Sequence, residues 1–138
     1  MRDLPRQLTE DELAELFSDR TRLVERLAEL DDPLVRAEEV FATLSEDEKA
    51  EALAPHPRIG EGSPEQHGDE PSVRAELAEL NRAYEQKFGF RFVVFVDGRS
   101  RAELVPTFRE RLARTRQQEL ETGLHELVAI ARDRARLG

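Results

Sequence analysis

The sequence contains no cysteine. Disulfides, thiolate-bound metals, iron–sulfur clusters and cysteine nucleophiles are excluded with it. Long apolar runs are also lacking. No segment approaches the roughly 20 residues that cross a bilayer, and the opening MRDLPRQLTEDE lacks the apolar core of a secretory leader. The expected location is the cytoplasm, with no membrane partner. Blocks of basic residues are missing too: 21 Lys and Arg face 30 Asp and Glu, for a net charge of −9, and the arginines are interleaved with glutamates. Such a surface repels a phosphate backbone, so no nucleic-acid partner is expected. There is no GxxxxGK[ST], GxGxxG, HExxH or EF-hand pattern, and neither a cofactor nor a metal is expected from motif.

What the sequence does have is helix chemistry. At 138 residues, with 38% apolar and 37% charged residues, it suits one domain, 1–138, of amphipathic helices with solvated outer faces. Thr9 with Glu12, Ser45 with Glu48, Ser100 with Glu103 and Thr115 with Gln118 read as capping boxes that open helices. Leu8 is placed to staple onto Leu13. Residues 21–30 put Leu23, Val24, Leu27 and Leu30 on one face. Asp32-Pro33 reads as an N-cap and first-turn proline that launch Leu34, Ala37, Val40, Phe41 and Leu44. Beyond Pro71 a long helix turns Val73, Leu77, Leu80, Tyr84 and Phe88 inward and ends at Gly89. Pro106 bends or locally breaks the helix opened by Ser100. The last and longest helix turns Leu120, Leu124, Leu127, Val128 and Ala131 inward, leaving His125 outside. The fold class is all-α: a compact bundle of about seven or eight helices.

Two stretches depart from this pattern. FRFVVFV, residues 90–96, is dense in Phe and Val and is followed by the Asp97-Gly98 turn signal, so it is expected to be extended. No second strand exists for it to pair with, so its buried peptide groups need other partners, a bound ligand among them. PHPRIGEGSPEQHGDEP, residues 55–71, carries Pro55, Pro57 and Pro64 with Gly60, Gly62 and Gly68, a spacing no helix survives.

The second stretch holds the candidate chemistry. His56 lies between two prolines on a stiff backbone, which suits a general acid or base near neutral pH. On residues alone, an idle loop histidine is the favoured reading. Glu65-Gln66 could orient that histidine or bind a ligand's N–H groups, or be ordinary loop polarity. A metal set of His56, Glu61, Glu65 and His67 lacks any recognised ligand spacing. Arg99, after the turn, is a candidate anion fork.

With these residues in view the chain resembles the OHCU (2-oxo-4-hydroxy-4-carboxy-5-ureidoimidazoline) decarboxylases. The resemblance rests on HPRIG at 56–60, SPEQ at 63–66, LNRAYEQKFGFRFVVFV at 80–96, GR at 98–99 and the C-terminal ELETGLHELVAIARDRARL. It implies an all-helical carboxy-lyase of urate (purine) breakdown, usually a homodimer, that turns a small-molecule substrate, OHCU, into (S)-allantoin without a cofactor. His56 would then be the catalytic acid/base and Glu65 would hold substrate N–H groups and orient the histidine. Pro57, Ser63 and Gln66 would line the pocket, main-chain groups of Phe92, Val93, Val94, Phe95 and Val96 would bind the ring, and Arg99 would steer the anion. OHCU already carries an electron sink beside its carboxylate. The protein therefore needs only to desolvate that group, stabilise oxyanion charge and deliver a proton.

Two departures from the family pattern stand out. Only eight residues, 57–64, separate His56 from Glu65, fewer than the family usually has, and the serine stands at S-P-E-Q where S-x-x-E-Q is commoner. The first half also lacks the family's usual tryptophan. Either the loop is shortened around an intact site, or the chain is a catalytically impaired relative acting as a helical dimerising or ligand-binding module.

Overall fold

Capping chemistry sets the helix starts. The computed structural model describes residues 7–58 and 71–137, and four helices among them open as their caps indicate. Thr9 and Glu12 bond reciprocally at the start of α1 (Glu10–Leu16), with Leu8 packed half-buried against the core. Ser45 and Glu48 do the same for α4 (Glu46–Leu53), after α2 (Arg22–Leu27) and α3 (Ala37–Phe41). Following α5 (Pro71–Phe88), Ser100 and Glu103 open α6 (Arg101–Leu112). The Thr115 and Gln118 side chains each accept the other's backbone N–H at the head of α7 (Arg116–Leu137). Each box satisfies two N–H groups that the first turn cannot.

Two local expectations are corrected. Asp32-Pro33 caps no helix. Asp32 has φ +52°, in the left-handed region, whereas an N-cap is extended. Its carbonyl closes a turn by accepting from Val35 and Arg36, and α3 starts only at Ala37, without a side-chain cap. Pro106, in turn, does not interrupt α6, which runs continuously from Arg101 to Leu112. The proline is exposed. Its missing N–H forgoes one bond, and the buried Leu104, Val105 and Phe108 hold that helix to the core.

The bundle is organised on α7, which packs against α1, α3, α4 and α5, while α6 lies along α5. Leu120, Leu124, Leu127, Val128 and Ala131 of α7 are all buried, as the periodicity requires. Gly123 brings α7 close to α4: a Cβ there would sit 3.0 Å from Leu53 Cδ1. His125 is exposed and meets Phe41 edge-on.

No strand occurs among the described residues, and Arg91 to Val96 runs with neither helix nor turn. Side chains stand in for the missing ladder. Arg111 Nη1 donates to the Val93 carbonyl at 2.6 Å, and Glu126 Oε1 accepts the Phe95 N–H at 3.2 Å. The segment closes on a turn in which Asp97 (φ +47°) and Gly98 (φ +77°) are both left-handed and Arg99 N–H reaches the Val96 carbonyl. That is the type I′ combination expected of an Asp-Gly pair.

Beneath this segment lies a buried ionic cluster. Glu119 Oε1 accepts from Tyr84 Oη at 2.6 Å and from Arg111 Nε at 2.8 Å, and its Oε2 accepts from Arg114 at 3.1 Å. Arg111 lies 4.4 Å from the centre of the Phe92 ring, which stacks on Phe108 at 3.7 Å. Glu119 and Arg111 are 0% and 5% exposed. Charges so deeply buried persist only because each is paired and hydrogen-bonded.

Candidate active site

His56 sits where α4 has ended and the chain turns toward α5. Its N–H donates to the Leu53 carbonyl (3.3 Å), and its own carbonyl accepts from Arg91 Nη1 (3.0 Å). Arg58, two residues on, is bound bidentately to Glu85 of α5. The histidine is thus held on both sides, beyond the stiffness of Pro55 and Pro57.

Its ring lines an open cleft of about 420 Å³. One wall is the run Val94 to Gly98; the other comes from the C-terminal part of α7, with Ile130, Asp133 and Arg134. His56 Nδ1 is buried with no hydrogen-bond partner among the described residues. Burial first, then the charges of Arg134 and Arg91, push the imidazole pKa down from 6.5 to about 4. At neutral pH the ring is therefore uncharged, with nitrogen able to accept or relay a proton. An anion entering the cleft would oppose these causes and raise the pKa toward the neutral range.

The main-chain wall is selectively satisfied. The Val93 carbonyl and the Phe95 N–H are taken by Arg111 and Glu126, and the Phe95 and Val96 carbonyls by Arg99. Val94 N–H, Val94 C=O and Val96 N–H have no hydrogen-bond partner among the described residues. Free donors and an acceptor side by side suit a ligand bearing N–H and C=O groups.

Of the residues singled out from sequence, His56, Val94, Phe95 and Val96 meet in this cleft. Phe92 and Val93 lie behind it, buried in the core. Pro57 is exposed and is not among the cleft residues. Arg99 is also outside it: Nη2 donates to the Phe95 carbonyl (2.7 Å) and Nε to the Val96 carbonyl (3.1 Å), so this fork braces the turn. Glu61, Ser63, Glu65, Gln66 and His67 lie outside the described residues. Among the described residues no three His, Asp or Glu side chains gather closely enough to hold a metal ion.

Sequence reading passed over Arg134. Its Nη1 caps the end of α1, at 2.8 Å from the Leu16 carbonyl, while the side chain also borders the cleft. The available signal was its place one turn after Ile130 on the same side of α7. The buried Tyr84–Glu119–Arg111 cluster was missed as well: spacing marks Tyr84 as core, and nothing in the sequence sets Arg111 or Glu119 apart from the many other charges.

A family model for OHCU decarboxylase matches residues 2–136. The chain belongs to the OHCU decarboxylase family. Among curated relatives of this family member, a uric acid degradation bifunctional protein from Bacillus sp. (strain TB-90) is 32% identical over 105 residues, 67% of this chain. The uric acid degradation bifunctional protein TTL of Arabidopsis thaliana is 33% identical over 97 residues, 58% of this chain. The matches span only 21% and 30% of those two longer proteins. A solved OHCU decarboxylase, crystallised in the presence of (S)-allantoin, superposes with a TM-score of 0.77 at 27% identity, covering 91% of this chain and 94% of that one. An (S)-allantoin synthase structure shares the fold, with a TM-score of 0.71 at 19% identity over 91% of this chain and 48% of the other.

Proposed function

We propose that this protein decarboxylates OHCU to (S)-allantoin, in urate breakdown, without a cofactor. The observation that carries this reading is His56: a rigidly held imidazole whose Nδ1 has no partner among the described residues, beside a cationic side chain and peptide groups likewise unpaired among them, in one cleft. In a member of the OHCU decarboxylase family, that set supplies what the reaction requires.

Val94 N–H and C=O, with Val96 N–H, bind the amide-like edges of the substrate. Arg134 draws in the substrate anion, whose negative charge raises the His56 pKa so that the ring takes up a proton. The C–C bond to the carboxylate breaks, CO₂ leaves, and the electron pair passes into the adjoining electron-withdrawing ring as an enolate-like anion. Hydrogen-bond donors of the cleft stabilise that charge. The His56 imidazolium then protonates the carbon on one face, giving one enantiomer, and the neutral ring is restored. Glu65 orients the imidazole and holds ureido or ring N–H groups, with Ser63 and Gln66 closing the pocket, while Pro57, exposed and outside the cleft, stiffens the backbone that carries His56. Arg99 acts by holding the turn that carries Val96. The protein works as a homodimer in the cytoplasm, with 1–138 forming one domain.

The test follows chiral (S)-allantoin by circular dichroism after adding the protein to freshly generated OHCU. Wild type is expected to accelerate its formation and His56→Ala to lose at least about 100-fold of that rate, the usual range for a general acid–base. A wild type that folds and dimerises but leaves OHCU decay unchanged would instead identify a ligand-binding or dimerising relative with a compromised 57–64 loop.

A further inference from the structure

All peptide bonds among the described residues are trans. In a trans peptide the C=O and the N–H point in opposite directions. The peptide joining Val93 to Val94 has its carbonyl fixed on Arg111 Nη1, so its N–H, that of Val94, is turned away from Arg111. The next peptide has its N–H, that of Phe95, fixed on Glu126 Oε1, so its carbonyl, that of Val94, is turned away from Glu126. Two charged side chains, one from α6 and one from α7, therefore set both peptide planes that flank Val94. Both of Val94's own polar groups remain without a partner among the described residues, on a residue that borders the cleft.

Arg111 is itself held in place. Its Nε is tied to Glu119, which Tyr84 and Arg114 also grip, and its guanidinium lies over Phe92. Such a group has little freedom to follow the carbonyl if the segment shifts, so the carbonyl must come to it. A neighbouring strand would supply these two bonds in a sheet; here no strand is present among the described residues and helical side chains do so. Bonds to ionised partners are also stronger than neutral ones, which suits a segment that must stay fixed while a ligand competes for it.

We propose that Arg111 and Glu126 are positioning residues of this enzyme. They would touch no substrate, and they would aim the N–H and C=O of Val94 at a ligand carrying a complementary C=O and N–H pair, a cyclic amide or urea edge. This rests on the substrate reading given above and adds to it the pair that orients the main chain.

Glu126 allows the cleaner test, because it is half-exposed while Arg111 is buried. Three proteins are compared: wild type, Glu126→Ala and Glu126→Gln. The glutamine can still accept the Phe95 N–H through its amide oxygen. Glu126→Ala is expected to keep its helical circular dichroism and raise KM for OHCU about tenfold, the effect of losing about one good hydrogen bond, with a much smaller change in kcat. Glu126→Gln is expected to restore most of the affinity. In ¹⁵N-labelled protein the Val94 and Phe95 amide signals are expected to move in Glu126→Ala and to lie near their wild-type places in Glu126→Gln.

A folded Glu126→Ala with unchanged KM and unmoved Val94 and Phe95 signals overturns the proposal. So does a KM loss that Glu126→Gln fails to rescue. Should wild type prove inactive on OHCU, the substrate reading falls, and the amide signals decide the positioning claim alone. As the buried counterpart, Arg111→Lys is expected to shift the Val93 carbonyl carbon signal; no shift in a folded variant also counts against the proposal.

Discussion

Arg58 holds Glu85 with two arms of its guanidinium, Nε at 2.7 Å from Oε2 and Nη2 at 2.9 Å from Oε1. The pairing joins the end of the 56–58 segment to the last turn of α5, and the Arg58 bond holds the Glu85 carboxyl below the usual carboxylate range. Both side chains retain solvent contact, so the pair contributes no more than about 1 kcal/mol to stability. Its larger effect is expected in catalysis, because His56 is only two residues away. Glu85→Gln should change the melting temperature by a few degrees at most, yet lower kcat by about tenfold through misplacement of the imidazole. Thermal unfolding and steady-state rates on the same preparation check this.

A second prediction concerns acid. The His56 pKa lies at about 4 in the folded protein and near 6.5 in an unfolded chain. Between these values the unfolded state binds a proton that the folded state refuses, so falling pH favours unfolding. The contribution of this neutral histidine is complete above pH 6.5 and is lost progressively as pH drops toward 4. Urea unfolding measured from pH 7 to pH 5, above most carboxylate titrations, should show stability falling in wild type and falling less in His56→Gln. Equal slopes for the two proteins would contradict the shifted pKa.

Arg134 provides the third. Its charge is the second cause, after burial, of the lowered His56 pKa. Arg134→Gln is therefore expected to raise that pKa while leaving it below 6.5, as followed by the imidazole ¹H and ¹⁵N shifts. If the arginine also draws in the anion, KM should rise by about tenfold or more, the cost of one charge-assisted contact. A raised pKa with unchanged KM would separate the electrostatic effect from substrate binding.

The fourth concerns the buried cluster. Tyr84→Phe deletes one hydrogen bond to the Glu119 carboxylate and is expected to cost about 1.5–3 kcal/mol. Glu119→Leu leaves Arg111 buried without its counter-charge and should cost about 3–5 kcal/mol. Denaturant titration of both variants gives the comparison, and a Glu119→Leu protein as stable as Tyr84→Phe would count against an ionic cluster.

The parts of the fold legible from sequence are those whose causes are local. A Ser or Thr three residues before a Glu or Gln fixes a helix start by two short bonds, and Thr9, Ser45, Ser100 and Thr115 behave accordingly. The 91–96 run could be read as strand-like yet unpaired, because Val and Phe density is visible and a partner strand is not. Asp32-Pro33 misled because the pair fits both a cap and a turn; only the backbone angle of Asp32 separates them. At the site, two prolines marked His56. Arg111, Glu119, Glu126 and Arg134 carried no such mark. Their helices each expose other Arg and Glu residues, and which ones turn inward depends on how α5, α6 and α7 meet.

The proposed recognition through peptide groups would move the sequence constraint away from the recognising residue. Any side chain at Val94 that keeps its place in the interior leaves the same N–H and C=O on offer, so that position can drift among apolar residues without changing what is bound. The residues expected to resist change are distant from it in sequence only: Arg111 and Glu126, bonded to the peptides on either side of Val94, and Glu119, which holds Arg111. A saturation scan selected for turnover would then look inverted, permissive along one wall of the cleft and strict in the helices behind it.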